Sequence, residues 1–161
     1  ETFAAQLASE KGVAVQPVRD LRSALQRTTV CITCTTATEF FVRREDVLPG
    51  TFIAAVGADD SHKQEIDPEL MASAKVVADT LDQSCTIGDT HHAIAAGLMR
   101  RAGVHAELSE IVAGKKSGRT DHTEITIFDS TGMALEDAVA AVAVYEKAIA
   151  EKSFRRFDFA A

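Results

Sequence analysis

The stretch TFIAAVGADDSHKQEID, residues 51–67, decides the fold. It opens with an apolar run, residues 52–56, that a Pro-Gly pair precedes and Gly57 follows. The run is too short and too apolar for a surface helix, so it predicts a strand buried on both faces of a parallel sheet. Ligands of open α/β sheets bind beyond the carboxyl ends of the strands, which makes Asp59 a candidate functional residue. The plainer alternative is a strand that ends in a solvated acidic loop.

Further strand and helix patterns surround this stretch. An uninterrupted β-branched run at residues 30–35 predicts a central parallel strand, and residues 13–18 alternate as an edge strand does. The longest helical periodicity covers residues 133–152. Shorter helices are predicted at residues 1–11, 20–27, 88–99 and 107–112 and from residue 67 onward, and further strands at 75–78 and 124–128. The pattern is that of an α/β protein with a parallel sheet.

Hydroxyl side chains follow the strand at residues 30–35, at the same sheet edge as Asp59. Thr35 and Thr36 can hydrogen-bond the ribose or phosphate oxygens of a nucleotide. Alternatively, they end the strand and cap the next turn. Gly57 has no Cβ, so a flat ring could approach the backbone there.

Composition and charge exclude several classes of protein. A length of 161 residues indicates one domain, and a net charge of −7 argues against a nucleic-acid partner. No run approaches the roughly 20 apolar residues of a membrane helix, and no signal peptide is recognisable. Three cysteines without disulfide-framework spacing suit a reducing compartment. We expect a cytoplasmic protein that does not bind membranes.

Neither histidine nor cysteine spacing indicates a metal or redox site. His91 and His92 are adjacent and would point about 100° apart on a helix, and the chain has no H-x-x-x-H or H-E-x-x-H motif. Cys31 and Cys34 lie three residues apart in a strand pattern and therefore face opposite sides. We expect no bound metal and no disulfide chemistry.

Four segments resemble the ornithine cyclodeaminase/mu-crystallin family. They are VCITCTTA at residues 30–37, LPGTFIAAVGADDSHKQEID at 48–67, ELSEIVAGKKSGR at 107–119 and TIFDSTGMALEDAVAA at 126–141. The second and fourth are the most specific, and the resemblance weakens after about residue 152. That family joins a dinucleotide-binding Rossmann domain to a second domain that binds the amino acid and forms the dimer. Its members, which include ornithine cyclodeaminases, alanine dehydrogenases and ketimine reductases, exchange hydride between a nicotinamide cofactor and an amino or imino acid.

The resemblance implies roles for named residues. Asp59 matches the catalytic acid, which relays a proton to or from the substrate nitrogen or the attacking water and needs a pKa tuned by a partly desolvated pocket. Lys63 matches the lysine of the family's GKxEL segment, expected to bind substrate, although His62 replaces the usual Gly. The residues expected to border the cofactor, NAD or NADP, are Thr35, Thr36, Val56, Gly57, Ser130 and Gly132.

Several parts of the family pattern do not occur in this sequence. They are the first strand, the G-x-G-x-x-A/G phosphate loop, the acidic residue after the second strand and the substrate domain. Because the chain also opens inside a helical pattern without Met, we expect residues 1–161 to form a single incomplete dinucleotide-binding domain. Residues 133–152 would be the long helix that leads toward the absent substrate and dimerisation domain. The fold class is therefore α/β, a truncated Rossmann-like parallel sheet flanked by helices with a long C-terminal helix.

A truncated sheet leaves two alternatives for its N-terminal edge. Residues 13–18 either pair directly with residues 30–35 or form an exposed edge that seeks another chain, and we expect direct pairing or a homo-oligomer.

Two functions are compatible with these expectations. The first is an NAD(P)-dependent amino- or imino-acid oxidoreductase or cyclodeaminase, inactive as this chain alone because the cofactor and substrate anchors are missing. The second is a non-catalytic Rossmann-like module that binds nucleotide weakly or oligomerises. A further alternative is that the chain was cut from a full-length enzyme.

Overall fold

A single parallel sheet organises the computed structural model, which describes residues 2–155 and residue 157. Within those residues the sheet has five strands, all parallel, in the order β1-β2-β5-β3-β4. They are β1 (Val30–Thr33), β2 (Phe52–Ala55), β3 (Lys75–Ala78), β4 (Ala106–Glu107) and β5 (Thr126–Asp129). Ala55 pairs with Asp129, and so does Ala78 from the other side, so that β2, β5 and β3 end side by side. The predicted α/β parallel fold is confirmed.

The described part of the chain contains seven α-helices and two short 3-10 helices. Asp20 and Asp67 each cap a helix by accepting a backbone N–H bond, at 3.2 Å from Ser23 and 2.9 Å from Glu69. The α-helices are α1 (Thr2–Lys11), α2 (Leu21–Leu25), α3 (Pro68–Ser73), α4 (Leu81–Ile87), α5 (Asp89–Ala95), α6 (Leu108–Val112) and α7 (Ala134–Glu151), and the 3-10 helices are Arg44–Asp46 and Arg101–Gly103. The predicted long C-terminal helix corresponds to α7.

The core lies on one face of the sheet. Alternate strand residues such as Ile53, Val76 and Ile127 point to this face and are fully buried. They form one cluster with Leu70 and Met71 of α3 and with other buried side chains of the covering segments. The alternation follows from the period of two along a strand.

The opposite face is open, which corrects two predictions. Val30 and Ile32 of β1 are 56% and 67% exposed, and Phe52 is also exposed. The residues predicted to form strands buried on both faces are therefore buried on one, and β1 is an edge strand rather than a central one. A cavity of about 790 Å³ lies on this open face, with a lining that includes Val30, Phe52, Val77, Leu108, Ile111 and Phe128.

Residues 13–18 form no strand, so the predicted edge strand is wrong. Val13 and Val18 are exposed, and the sheet ends at β1, which pairs only with β2. Local alternation alone does not stabilise a strand, because strand hydrogen bonds need a neighbour in register. The expected direct pairing with β1 is likewise absent from the described residues.

Strand β4, helix α4 and the two 3-10 helices were not predicted. Strand β4 has only two residues, too few for a period-two pattern to register. Among the described residues, no helix combines the length and apolar character that crossing a bilayer requires.

Truncating the buried core of α3 should destabilise the chain far more than truncating a surface leucine. We expect Leu70→Ala, at a fully buried position, to lower the free energy of unfolding by about 2–5 kcal/mol, because it removes apolar contacts and leaves a cavity. The matched control is Leu98→Ala, at a half-exposed position, where the loss should be under about 1 kcal/mol. Guanidinium titration followed by circular dichroism measures both. Equal losses at the two sites would contradict the described core.

Candidate functional site at the carboxyl ends of the strands

The carboxyl ends of β1, β2 and β5 meet at one rim of the sheet. Backbone pairing continues one residue past the strands, because Val56 N donates to Thr33 O and Ser130 N donates to Ala55 O, each at 2.9 Å. Val56 is exposed and Ser130 is half-buried. The structure therefore brings the segments that contain Thr35, Gly57 and Ser130 to the same rim, as the sequence predicted.

Asp59 lies at this rim in an ion pair with Lys63. Lys63 Nζ lies 2.5 Å from Asp59 Oδ1, and the Asp59 side chain is 55% exposed. The hydrogen bond from Lys63 lowers the pKa of Asp59, an effect larger than the opposing desolvation, and the same bond raises the pKa of Lys63. The partly desolvated pocket expected around Asp59 is therefore not found. In this chain the pKa of Asp59 is set mainly by its pairing with Lys63.

Glu65 ties two loops of the rim together. Its carboxylate is fully buried and accepts Thr35 N–H at 2.6 Å on Oε1 and Gly57 N–H at 2.9 Å on Oε2. A Cβ at Gly57 would lie 2.3 Å from Glu65 Oε1, so only glycine fits at that position. Gly57 was expected to leave room for a ligand ring, but its missing Cβ makes room for Glu65.

Two more buried carboxylates extend this arrangement into α5. Asp89 Oδ1 accepts the backbone N–H groups of Glu65 and Ile66, at 2.9 and 3.0 Å. Asp129 Oδ2 accepts from Ser84 Oγ at 2.6 Å and from the Thr90 amide and hydroxyl, at 2.9 and 2.6 Å. Burial raises the pKa of Asp129, and burial together with the nearby negative charge raises the pKa of Asp89 to about 7.

Asp79 fixes the loop that enters α7. Its Oδ2 accepts the backbone N–H groups of Thr131 and Gly132, at 2.7 and 2.8 Å. Gly132 has a φ of +83° and would have nothing within 4 Å of an added Cβ, so the space beside it is open. Open space at Gly132 is compatible with its expected position beside a cofactor.

The buried acids were not predicted as site residues. Asp79 and Asp129 each follow a predicted strand directly, and this position could have marked them as candidate site residues. Glu65 and Asp89 lie in segments whose spacing does not distinguish a buried acid from a solvated one. Their positions depend on tertiary contacts between residues more than twenty positions apart.

Thr35 and His92 make local hydrogen bonds at the rim. Thr35 and Thr36 are exposed, and Thr35 Oγ1 accepts Ala37 N–H at 3.2 Å, which is the turn-capping alternative. His92 Nε2 donates to the carbonyl oxygen of Lys63 at 2.8 Å and so braces the Asp59 loop. The part of the chain that the structure describes contains no cluster of three or more His, Cys, Asp or Glu residues suited to a metal ion.

Comparison with known proteins identifies the family. The model of the ornithine cyclodeaminase/mu-crystallin family matches residues 1–152. The chain belongs to this family. The alanine dehydrogenase of Archaeoglobus fulgidus is 39% identical over 145 residues, which are 90% of this chain and 44% of that protein. The iminosuccinate reductase of Paracoccus denitrificans is 45% identical over 119 residues, 74% of this chain and 37% of that protein.

Solved structures of family members have the same fold. The Paracoccus iminosuccinate reductase in complex with NAD⁺ has a TM-score of 0.89 at 38% identity, over 98% of this chain and 48% of that one. The Thermococcus litoralis Δ¹-pyrroline-2-carboxylate reductase in complex with NADH and L-proline also has a TM-score of 0.89, at 34% identity, over 94% and 47% of the two chains. The chain spans about half the length of the curated relatives it matches.

The raised pKa of Asp89 predicts how the stability of the chain depends on pH. The pKa of Asp89 in the folded state, about 7, exceeds the ordinary 3.8, so the folded protein binds this proton more tightly than the unfolded chain does. The stability that this proton contributes is present at low pH and is lost as the pH rises through about 7. Between about pH 5 and pH 8 the unfolding free energy of the wild type should decline. In Asp89→Asn we expect this decline to be smaller by roughly 2–3 kcal/mol, as measured by urea titration.

The matched control for this test is Asp20→Asn. Asp20 caps α2 at the surface, and asparagine caps helices equally well, so this variant should keep the wild-type pH dependence. An Asp89→Asn chain whose stability declines with pH as steeply as the wild type would contradict the assignment.

Proposed function

We propose that the whole protein is an NAD(P)-dependent oxidoreductase or cyclodeaminase acting on a small amino or imino acid. The observation that carries this proposal is the Asp59–Lys63 pair at the rim where β1, β2 and β5 end. Family membership and the likeness to NAD(H) complexes support it. Residues 1–161 would supply part of the cofactor domain, with 133–152 leading toward a substrate and dimerisation domain.

Asp59 is proposed to carry the proton of the reaction. Its carboxylate is exposed, so a substrate nitrogen or a water molecule can reach it, and its pairing with Lys63 holds it ionised. Lys63 is proposed to bind the substrate carboxylate. If Lys63 exchanges Asp59 for that carboxylate, the pKa of Asp59 rises and the group becomes better able to hold a proton.

The cofactor is proposed to lie along the same rim. The fit rests on the open space beside Gly132 and on the exposed hydroxyls that end β1. NAD(P), when bound, supplies the hydride acceptor or donor. The residues proposed to border it are Thr35, Thr36, Val56, Gly57, Ser130 and Gly132, with Gly57 contributing only backbone because Glu65 fills the space of a Cβ.

The alternative is a non-catalytic module that associates with itself or binds nucleotide weakly. The apolar surface favours association, since Val30, Ile32 and Phe52 are exposed on the open sheet face and α7 exposes a second apolar set. The exposed apolar residues of α7 are Leu135, Val139, Val142, Val144, Tyr145 and Ile149. Sedimentation equilibrium distinguishes a monomer from a self-associating chain.

Cofactor binding by the 161-residue chain should be weak. The sequence contains no glycine-rich phosphate loop, and in dinucleotide-binding folds that loop anchors the pyrophosphate. Titration followed by nicotinamide fluorescence should show no saturation up to about 1 mM NADH or NADPH. Tight saturable binding would instead indicate that the chain alone suffices for cofactor binding.

A chimera tests the catalytic proposal directly. The matched segment of the Archaeoglobus alanine dehydrogenase is replaced by this chain, and NADH formation from alanine and NAD⁺ is followed. We expect an active chimera and a fall in kcat of about 10²–10⁴-fold on Asp59→Asn, because the variant cannot transfer a proton. The control Asp60→Asn alters the neighbouring exposed carboxylate, and its kcat should stay within a few-fold. An equally active Asp59→Asn chimera would refute the role of Asp59.

A further inference from the structure

The loop that carries Asp59 and Lys63 is closed by a single carboxylate. Gly57 and Glu65 bracket the loop, and the bond from Gly57 N–H to Glu65 Oε2, at 2.9 Å, joins its two ends. The other oxygen of the same carboxylate accepts Thr35 N–H at 2.6 Å and so ties the loop to the end of β1.

The chemistry of this position requires a carboxylate. Two N–H donors converge on Glu65 from the segments that follow β1 and β2, and a carboxylate offers an acceptor oxygen to each. A glutamine has the same shape but only one acceptor oxygen, so one of the two N–H groups would face an NH₂ group. Gly57 and Glu65 also depend on each other sterically, since any Cβ at residue 57 would overlap the carboxylate.

Glu65 is itself held from its backbone side. Its N–H donates to Asp89 Oδ1 at 2.9 Å, and its carbonyl oxygen accepts from Phe41 N and Val42 N, at 3.0 and 3.1 Å. The side chain is fully buried. The carboxylate is therefore a fixed point of the core and not a mobile surface group.

We propose that Glu65 is a positioning residue that sets where Asp59 and Lys63 lie relative to the end of β1. This inference rests on the proposed function for its catalytic meaning. Glu65 is fully buried, so its proposed effect is exerted through the loop. By holding both loops, it keeps the proton-carrying carboxylate at a constant distance from the Thr35 segment proposed to border the cofactor, and small displacements of such groups are costly in rate.

The test compares Glu65→Gln with Glu124→Gln in the 161-residue chain. Glu124 is a less buried carboxylate near the amino ends of the strands, where it accepts Thr120 N–H at 2.9 Å and pairs with Lys75. Both substitutions remove one charge and one acceptor oxygen, so an effect of charge removal alone is common to both. The readout is the titration of the Asp59 side-chain carboxyl by carbon NMR.

The expected result is specific to Glu65→Gln. Releasing the loop weakens the Asp59–Lys63 geometry, so the pKa of Asp59 should move up toward its ordinary value, whereas Glu124→Gln should leave it unchanged. An unchanged Asp59 titration in folded Glu65→Gln, or an equal shift in Glu124→Gln, would overturn the proposal. If Glu65→Gln does not fold, Glu65→Asp, which keeps the charge but shortens the reach, should shift the pKa in the same direction, and no shift there would overturn it.

The measurement is independent of cofactor and substrate. A failed chimera assay with a shifted Asp59 titration would reject the oxidoreductase function and leave the positioning of the loop supported. An active chimera with an unshifted titration would reject the role of Glu65 alone.

Discussion

Buried carboxylates that accept backbone N–H groups at the carboxyl ends of the strands are the constraint on which the rest of the structure depends. Removing an ionisable group from water is unfavourable unless hydrogen bonds replace the lost hydration. Glu65 and Asp129 meet that requirement with both oxygens, which accept N–H groups from the segments after β1 and β2 and from the start of α5. Asp89 accepts the N–H groups of Glu65 and Ile66 on Oδ1, while its buried Oδ2 has no hydrogen-bond partner among the described residues. Each satisfied bond also fixes a loop, because the donors belong to the backbone. The hydrogen bonds that offset the cost of burying these acids therefore also hold the loops of the rim in place.

Acids of two kinds, buried and exposed, meet at this rim although they are far apart along the chain. Burial raises the pKa of Asp129 and raises that of Asp89 to about 7, while Lys63 lowers the pKa of the exposed Asp59. The surroundings thus shift the pKa of the same residue type in opposite directions. The buried acids suit the maintenance of structure, and the exposed one suits proton exchange with solvent or a ligand.

The sequence predicted the parts of this structure that depend on local pattern. Short apolar or β-branched runs mark β1, β2, β3 and β5, helical periodicity marks α7, and an acid after a buried strand indicated Asp59. It could not predict which acids are buried, because Glu65 and Asp89 are chosen by contacts with residues far away in the chain. Residues 13–18 show the converse error, since an alternating pattern was present but no neighbouring strand was available to pair with it.

The open face of the sheet and the hydrogen bonds of the rim involve different residues. Asp129 points to the same face as Ile127, since residues two apart in a strand share a side, and Glu65 is followed directly by Ile66 of the core cluster. The side-chain hydrogen bonds of Glu65 and Asp129 do not use Val30, Ile32 or Phe52. An apolar face of this kind is typical of a surface that another part of a protein, or a second copy, covers. Covering it would add stability without being needed to place Asp59, because the carboxylates already fix the loop that carries it.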